Sequence, residues 1–332
     1  MDLKRLPKTE FAQAVAQIAG ERNIDPQLIL DSIEAGLISA YKRNQREHGI
    51  VIPDEDQFEV DLSPESGLFK VFKIEGDKRL EVTPPDFGRI AAQTAKQVID
   101  QKIYEAEKEV IIAEFQKKVG SLVTGVVFRS DPSKLVIGVG KTEAICPKDE
   151  QIKGENLPLG AKKLFLIKEI FRDEITGQSE VILSRRDNNF IKELFAREVP
   201  EVSNRVVRVE KIARTPGERT KVAVASSQPG VDPVGSCIGQ KGSRIQSVLN
   251  ELPAEEKVDV ILFSKNLNQF IIAALSPANG VRVEAIENGI AQVTVPEDQL
   301  ALAIGGGGEN VRLAGVLTGL EIKIAARKET QS

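Results

Sequence analysis

The chain has 332 residues, 41 % of them hydrophobic, enough for two to four domains with proper cores. A single histidine, His48, removes the usual general base, the Ser-His-Asp triad, the Cys-His pair and most zinc sites, so no catalytic residue, metal or cofactor is expected. A net charge of −4 argues against a polycation that coats nucleic acid, so any grip on such a partner must come from local geometry.

The two cysteines, Cys146 and Cys237, form no CxxC pair and read as small buried hydrophobes in a reducing compartment. No apolar run approaches a membrane span, and Met1-Asp2-Leu3-Lys4-Arg5 lacks the apolar stretch of a signal peptide. A cytoplasmic protein without a membrane partner is expected.

Residues 9–48 predict two helices. Thr9 caps the first and Gly20 stops it. Asp25-Pro26 starts the second, with Leu28, Ile29, Ile33, Leu37 and Tyr41 on its apolar face. Alternation over Phe58-Val60-Leu62 and again from Leu68 to Ile74, around a turn at Pro64-Glu65-Ser66-Gly67, predicts a hairpin, with a further strand at Leu80-Val82. From Asp86 to about Lys118 apolar residues recur at helical spacing without proline. A helix of that length extends about 45 Å and links the head to the remainder of the chain. Residues 1–118 hold 17 basic against 22 acidic side chains, which places most of the acidic excess at this end.

After Val119 the period changes. Short alternating runs at Leu122-Thr124-Val126, Leu135-Ile137-Val139, Glu143-Ile145, Leu164-Leu166 and Glu180-Ile182, with turns marked by Gly138, Gly140, Pro147, Pro158, Gly160 and Gly177, suit a five-stranded OB-type barrel over residues 119–185. The stretch Gly120-Ser121-Leu122-Val123-Thr124-Gly125-Val126-Val127 and the ending Ile182-Leu183-Ser184-Arg185 resemble the S1-type RNA-binding barrel. Aromatic residues for base stacking are scarce there, Phe128 being the one that stands out, so the barrel reads as an RNA binder or as a spacer.

Residues 186–332 contain an internal repeat. Each copy runs helix, strand, strand, helix, Gly-x-x-Gly, helix, strand. Both copies place isoleucine before the first glycine: Ile238-Gly239-Gln240-Lys241-Gly242 and Ile304-Gly305-Gly306-Gly307-Gly308. A lone Gly-x-x-Gly means little, but shared order and spacing make these two KH domains of the bacterial arrangement, assigned to residues 186–275 and 276–332, with the helix at 267–275 reading as the start of the second copy. The glycines let backbone approach phosphates closely, and the next helix presents its positive N-terminus. The candidate RNA-binding residues are Gly239, Gln240, Lys241, Gly242 and Arg244 in the first clamp. In the second they are Gly305, Gly306, Gly307, Gly308, Asn310 and Arg312, with Asn310 a base-edge or backbone donor. The glycine run lacks the Lys-Ser/Thr of a P-loop.

Head, linking helix, S1-type barrel and two type II KH domains, a multidomain α+β chain, together resemble the NusA family of bacterial transcription factors. The resemblance is carried also by Phe87-Gly88-Arg89-Ile90-Ala91-Ala92-Gln93-Thr94-Ala95-Lys96, Pro216-Gly217-Glu218-Arg219-Thr220-Lys221, Asp232-Pro233-Val234-Gly235 and Asn310-Val311-Arg312-Leu313-Ala314. The sequence departs from the family pattern at Gly306, where a basic residue is usual, at Glu309 (usually Gln), at Glu255 (usually Gly) and at Tyr104 (commonly Arg). It ends at Ser332, where some members continue into acidic repeats.

The resemblance implies a monomeric factor that binds RNA polymerase through its head, holds nascent single-stranded RNA and works beside other elongation or antitermination factors in pausing, termination and antitermination. Two other readings compete: a ribosome- or mRNA-associated RNA-binding module, and an accessory part of an RNA-processing enzyme. In the latter class the KH domain precedes the barrel and large catalytic domains are present, which does not match this order.

Overall fold

The computed structural model describes residues 9–22, 24–53, 55–173 and 179–327. The chain divides into two compact units, Met1–Ala113 and Glu114–Ser332.

The first unit contains α1 (Glu10–Arg22), α2 (Pro26–Glu47), strands β1 (Gln57–Leu62), β2 (Phe69–Glu75) and β3 (Lys78–Glu81), and α3 (Phe87–Gln116), whose last residues run into the second unit. Asp25 caps α2 as the sequence predicts, its Oδ1 accepting from Gln27 N at 2.9 Å. The strands form an antiparallel sheet in sequence order. One face packs on α2, so that Ile29, Ile33, Leu37 and Tyr41 share a core with Val60, Leu62 and Val71. Helix α3 has 30 residues, and its only buried ones among those described are Phe87 and Ala91 near its start. The rest of that helix contributes little to the core, and Tyr104 and Val110 are exposed.

The second unit begins with a closed five-stranded barrel of β4 (Leu122–Ser130), β5 (Lys134–Val139), β6 (Thr142–Pro147), β7 (Lys162–Arg172) and β8 (Ser179–Ser184), in the order β4-β5-β6-β8-β7. The expected turn at Gly177 lies outside the described residues.

Two copies of one topology come next. The first has α4 (Asn188–Glu198), α5 (Pro200–Ser203), β9 (Val207–Thr215), β10 (Arg219–Ser226), α6 (Pro233–Ile238), α7 (Ser243–Leu249) and β11 (Lys257–Leu262). The second has α8 (Leu267–Ala274), β12 (Arg282–Glu287), β13 (Ile290–Pro296), α9 (Leu300–Ile304), α10 (Glu309–Thr318) and β14 (Glu321–Arg327). In each, the middle strand pairs antiparallel with the strand before it and parallel with the strand after it. A division at residue 275 would leave α8 with the first copy. Its buried Phe270, Ile271 and Ala274 instead join Val293, Val295, Leu313 and Leu317. The second copy therefore starts with α8, because that helix has its apolar partners there.

The barrel and both copies share cores. Leu164 and Leu166 of the barrel join Phe190, Ile191, Leu194 and Phe195 of α4 in one cluster, which covers that part of the barrel wall. Ala213, Ala223 and Ile261 of the first KH sheet join the core of the second copy.

Buried charge reinforces both junctions. Arg185, fully buried after β8, donates Nε and Nη2 to Glu155 at 2.7 and 2.6 Å, Nη1 to Leu164 O and Nη2 to Glu251 O, both at 2.6 Å. Arg214 pairs with Glu256 at 2.7 Å and also reaches the carbonyls of Arg185 and Arg186. Burial works against the charged form of Glu256, but hydrogen bonds and charge attraction from Arg214, with Thr220 and Gly217 N, outweigh it and hold the carboxyl below its ordinary value. Lys221 is buried beside Asp259 and donates to Ser276 O at 2.7 Å; burial pushes its ammonium below the ordinary lysine value.

Removing one partner of such a pair strands the other charge. Arg185→Met is expected to cost about 3–5 kcal/mol of stability in urea unfolding, and adding Glu155→Met to recover much of that loss.

Candidate nucleic-acid interface

The two glycine loops are built by the same local rules. Asp232 caps α6, accepting from Val234 N at 3.0 Å, and Pro233 opens the helix. The helix stops at Gly239 (φ 75°, ψ 173°), a 3₁₀ turn spans Gln240–Gly242, and α7 leaves it. In the second copy α9 stops at Gly305 (φ 77°, ψ 167°), the turn spans Gly306–Gly308, and α10 continues from it.

Equivalent positions match closely. Lys241 sits at φ 51°, ψ 27° and Gly307 at 60°, 16°; Gly242 sits at 78°, 13° and Gly308 at 75°, 15°. The conformation of Gly239 and Gly305 is open almost only to glycine. The space is closed as well: a Cβ on Gly305 would lie 2.7 Å from Asn310 Cβ and 2.8 Å from its backbone N, and one on Gly239 would lie 2.8 Å from Arg244 Cγ.

Gln240 and Lys241 are exposed at the tip of the first loop, and among the described residues their side chains make no hydrogen bond or ion pair. Lys241 holds a left-handed conformation that costs a non-glycine residue roughly 1–2 kcal/mol. Beside the loop lies an open cleft of about 710 Å³ lined by Asp232, Ser236, Gln240, Ser243 and Arg244. Ile238 and Ile304, each before the first glycine of its loop, remain over one-third exposed.

Three predicted donors are engaged elsewhere. Arg244 Nη1 donates to Ser236 O at 2.7 Å and to Glu201 Oε2 at 2.8 Å, tying the end of α6 to α7 and to α5. Asn310 is fully buried, and its Nδ2 lies within hydrogen-bonding distance of Leu302 O, Ala303 O and Leu275 O, at 3.0–3.2 Å. It offers no donor to a base edge. The two residues occupy one position of the repeat and serve one end, the last carbonyls of the preceding helix, which would otherwise lack partners. Arg312 donates Nη2 to Thr215 Oγ1 of the first KH unit and so lies in the junction between the copies. Nothing local in the sequence pointed to Glu201 or Thr215 as partners, since both come from distant segments. The one available signal was that Arg244 and Asn310 hold the same repeat position.

On the barrel, Phe128 stands at a β-bulge of β4 and is 57 % exposed. Its ring lies on Gly138 of β5, where a Cβ would meet Cζ at 2.1 Å. One ring surface rests on backbone and the side chain remains open to solvent.

A closed OB-like barrel joined to two mixed-sheet units, each with an Ile-Gly-x-x-Gly turn between helices, defines a protein of the tandem-KH class. Residues 185–263 match the NusA-like first KH domain, residues 267–332 the NusA-like second KH domain, and residues 10–77 and 73–109 the NusA N-terminal domain. The chain is 37 % identical to the transcription termination/antitermination protein NusA of Halalkalibacterium halodurans, covering 97 % of this chain and 90 % of that one. It is 37 % identical to the protein of that name in Bacillus subtilis, with 97 % and 92 % covered, and 35 % identical to that of Thermus thermophilus, with 94 % and 89 % covered. The chain belongs to the NusA family.

The steric demand at the second loop is directly testable. Gly305→Ala is expected to destabilise the protein by about 1–3 kcal/mol in thermal or urea unfolding, whereas Gly306→Ala, at a position with open space and no left-handed φ, should change stability by less than about 1 kcal/mol.

Proposed function

We propose that this protein is a non-enzymatic transcription termination/antitermination factor that binds RNA polymerase through residues 1–118 and holds nascent single-stranded RNA on its two glycine loops. The observation that carries this reading is the repeated loop itself. Two turns of one backbone shape, each leading directly into a helix, sit on a body that buried charge and shared cores make continuous. Backbone at Gly239 and Gly305 can approach phosphates closely, and exposed Ile238 and Ile304 offer apolar contact to bases. Phe128 adds an exposed aromatic ring on the barrel, suited to stacking a base. The acidic excess of residues 1–118 separates this head from an RNA-binding role and suits a protein partner. The protein acts as a monomer in the cytoplasm, alongside further elongation or antitermination factors. The reading is tested by transcription in vitro through a hairpin-stabilised pause. The full chain should lengthen the pause and residues 1–118 should be retained by core polymerase; an unchanged pause would overturn it.

The two loops differ in charge where their backbones agree. Gln240 and Lys241 in the first correspond to Gly306 and Gly307 in the second, so the second holds phosphate by backbone N–H groups and the helix N-terminus alone. Glu309, in the first turn of α10, adds an acidic group beside it. Lys241→Ala should therefore lower RNA affinity and reduce the slope of log affinity against log salt by about 1, the signature of one lost phosphate contact. Gly306→Lys, free of steric conflict, should raise affinity and steepen the slope, measured by titration at several salt concentrations.

A further inference from the structure

The second loop leads straight into α10, so the direction of α10 decides where that loop points. Strand β9 of the first KH unit holds α10 at two places. Near the start of the helix, Arg312 donates to Thr215 Oγ1. In its last turn, Leu317 O accepts from Lys211 Nζ at 2.8 Å, a cation at the negative end of a helix. Lys211 Nζ also lies 5.6 Å from the centroid of Phe270, on α8 of the same second copy. Between these attachments Ala213, 1 % exposed, shares an apolar cluster with Leu313 and Leu317, and its small side chain lets helix and strand approach closely. Two attachments four residues apart on the strand and five apart on the helix fix an orientation, which one contact could not do. Buried Lys221, donating to Ser276 O at 2.7 Å, anchors the start of the second copy in the same way.

We propose that Lys211 and Thr215 are positioning residues that set the spacing between the two loops, so that the protein selects single-stranded RNA by the length separating two loop-bound segments. This rests on the reading that both loops hold RNA. When two sites are rigidly joined, binding at the second is strong only for a connector that matches the gap. Loosening the joint lowers and broadens that optimum without touching either site. Neither Lys211 nor Thr215 lies in a loop, and both side chains are spent on the neighbouring copy.

The test uses the full chain and synthetic RNAs carrying two four-nucleotide segments joined by abasic spacers of increasing length, with the single segment as control. Wild-type protein should show a sharp optimum in spacer length. Lys211→Met combined with Thr215→Val, which keeps the packing of both stems, should lose roughly tenfold affinity at that optimum and flatten the profile, while binding the single segment within about twofold of wild type. Lys211→Arg, which retains a donor, should keep the optimum. An unchanged length profile in the double variant would overturn the inference, as would an equal loss on the single segment and the spanning RNA. If Lys241→Asp together with Gly306→Asp left wild-type binding intact, the loop reading itself would fail. Clamp-dependent binding with an unaltered profile would remove only the spacing inference.

Discussion

A guanidinium with no exposure to water sits where the barrel ends and the first KH unit begins. Placing Arg185 there costs several kcal/mol of desolvation, which only a full set of well-placed acceptors can offset. The structure supplies them from three directions: the carboxylate of Glu155 and the carbonyl of Leu164 in the barrel segment, and the carbonyl of Glu251 beyond α7. The rings of Phe165 and Phe190 flank the cation at 5.7 and 5.0 Å. A planar fork with five donors can serve several acceptors at once; the point charge of lysine could not occupy the same geometry. Since these acceptors belong to separate elements, the charge is satisfied only when barrel and KH unit are docked. Arg214 extends the arrangement by bonding to the carbonyls of Arg185 and Arg186 while neutralising Glu256. The result is a body in which the barrel cannot move independently of the first KH sheet.

The internal repeat separates what a loop needs for shape from what it needs for chemistry. Shape is shared between the two copies through glycine at the first position, where both the dihedral region and the neighbouring atoms exclude a side chain. It is also maintained by a donor two residues past the second glycine, Arg244 in one copy and Asn310 in the other, which binds the last carbonyls of the preceding helix. Arginine does this from a partly exposed position with help from Glu201, whereas the shorter asparagine does it from complete burial. The two middle residues are released from structural duty and carry the charge difference.

Much of this architecture was legible in order along the chain, because it depends on neighbours in sequence. Asp25-Pro26 and Asp232-Pro233 mark helix starts through a cap and a fixed φ, and both helices begin there. The change from helical to alternating period after Val119 marks the barrel, and the spacing of Ile238-Gly239 and Ile304-Gly305 marks the repeat. Turn glycines, caps and periodicity act over a few residues, so they survive in the one-dimensional record.

What the tertiary structure alone decided is where long polar side chains end. Arg244, Asn310 and Arg312 all look like ligands from sequence, since each lies just past a Gly-x-x-Gly and bears hydrogen-bond donors. Their acceptors at Glu201, Leu275 and Thr215 lie 43, 35 and 97 residues away in the chain. The position of α8 was decided the same way, by an apolar face that finds Val293 and Leu313 rather than the strand before it. A donor bonds to whichever acceptor folding brings within about 3 Å. That proximity is a property of packing between segments, and no local pattern of residues encodes it.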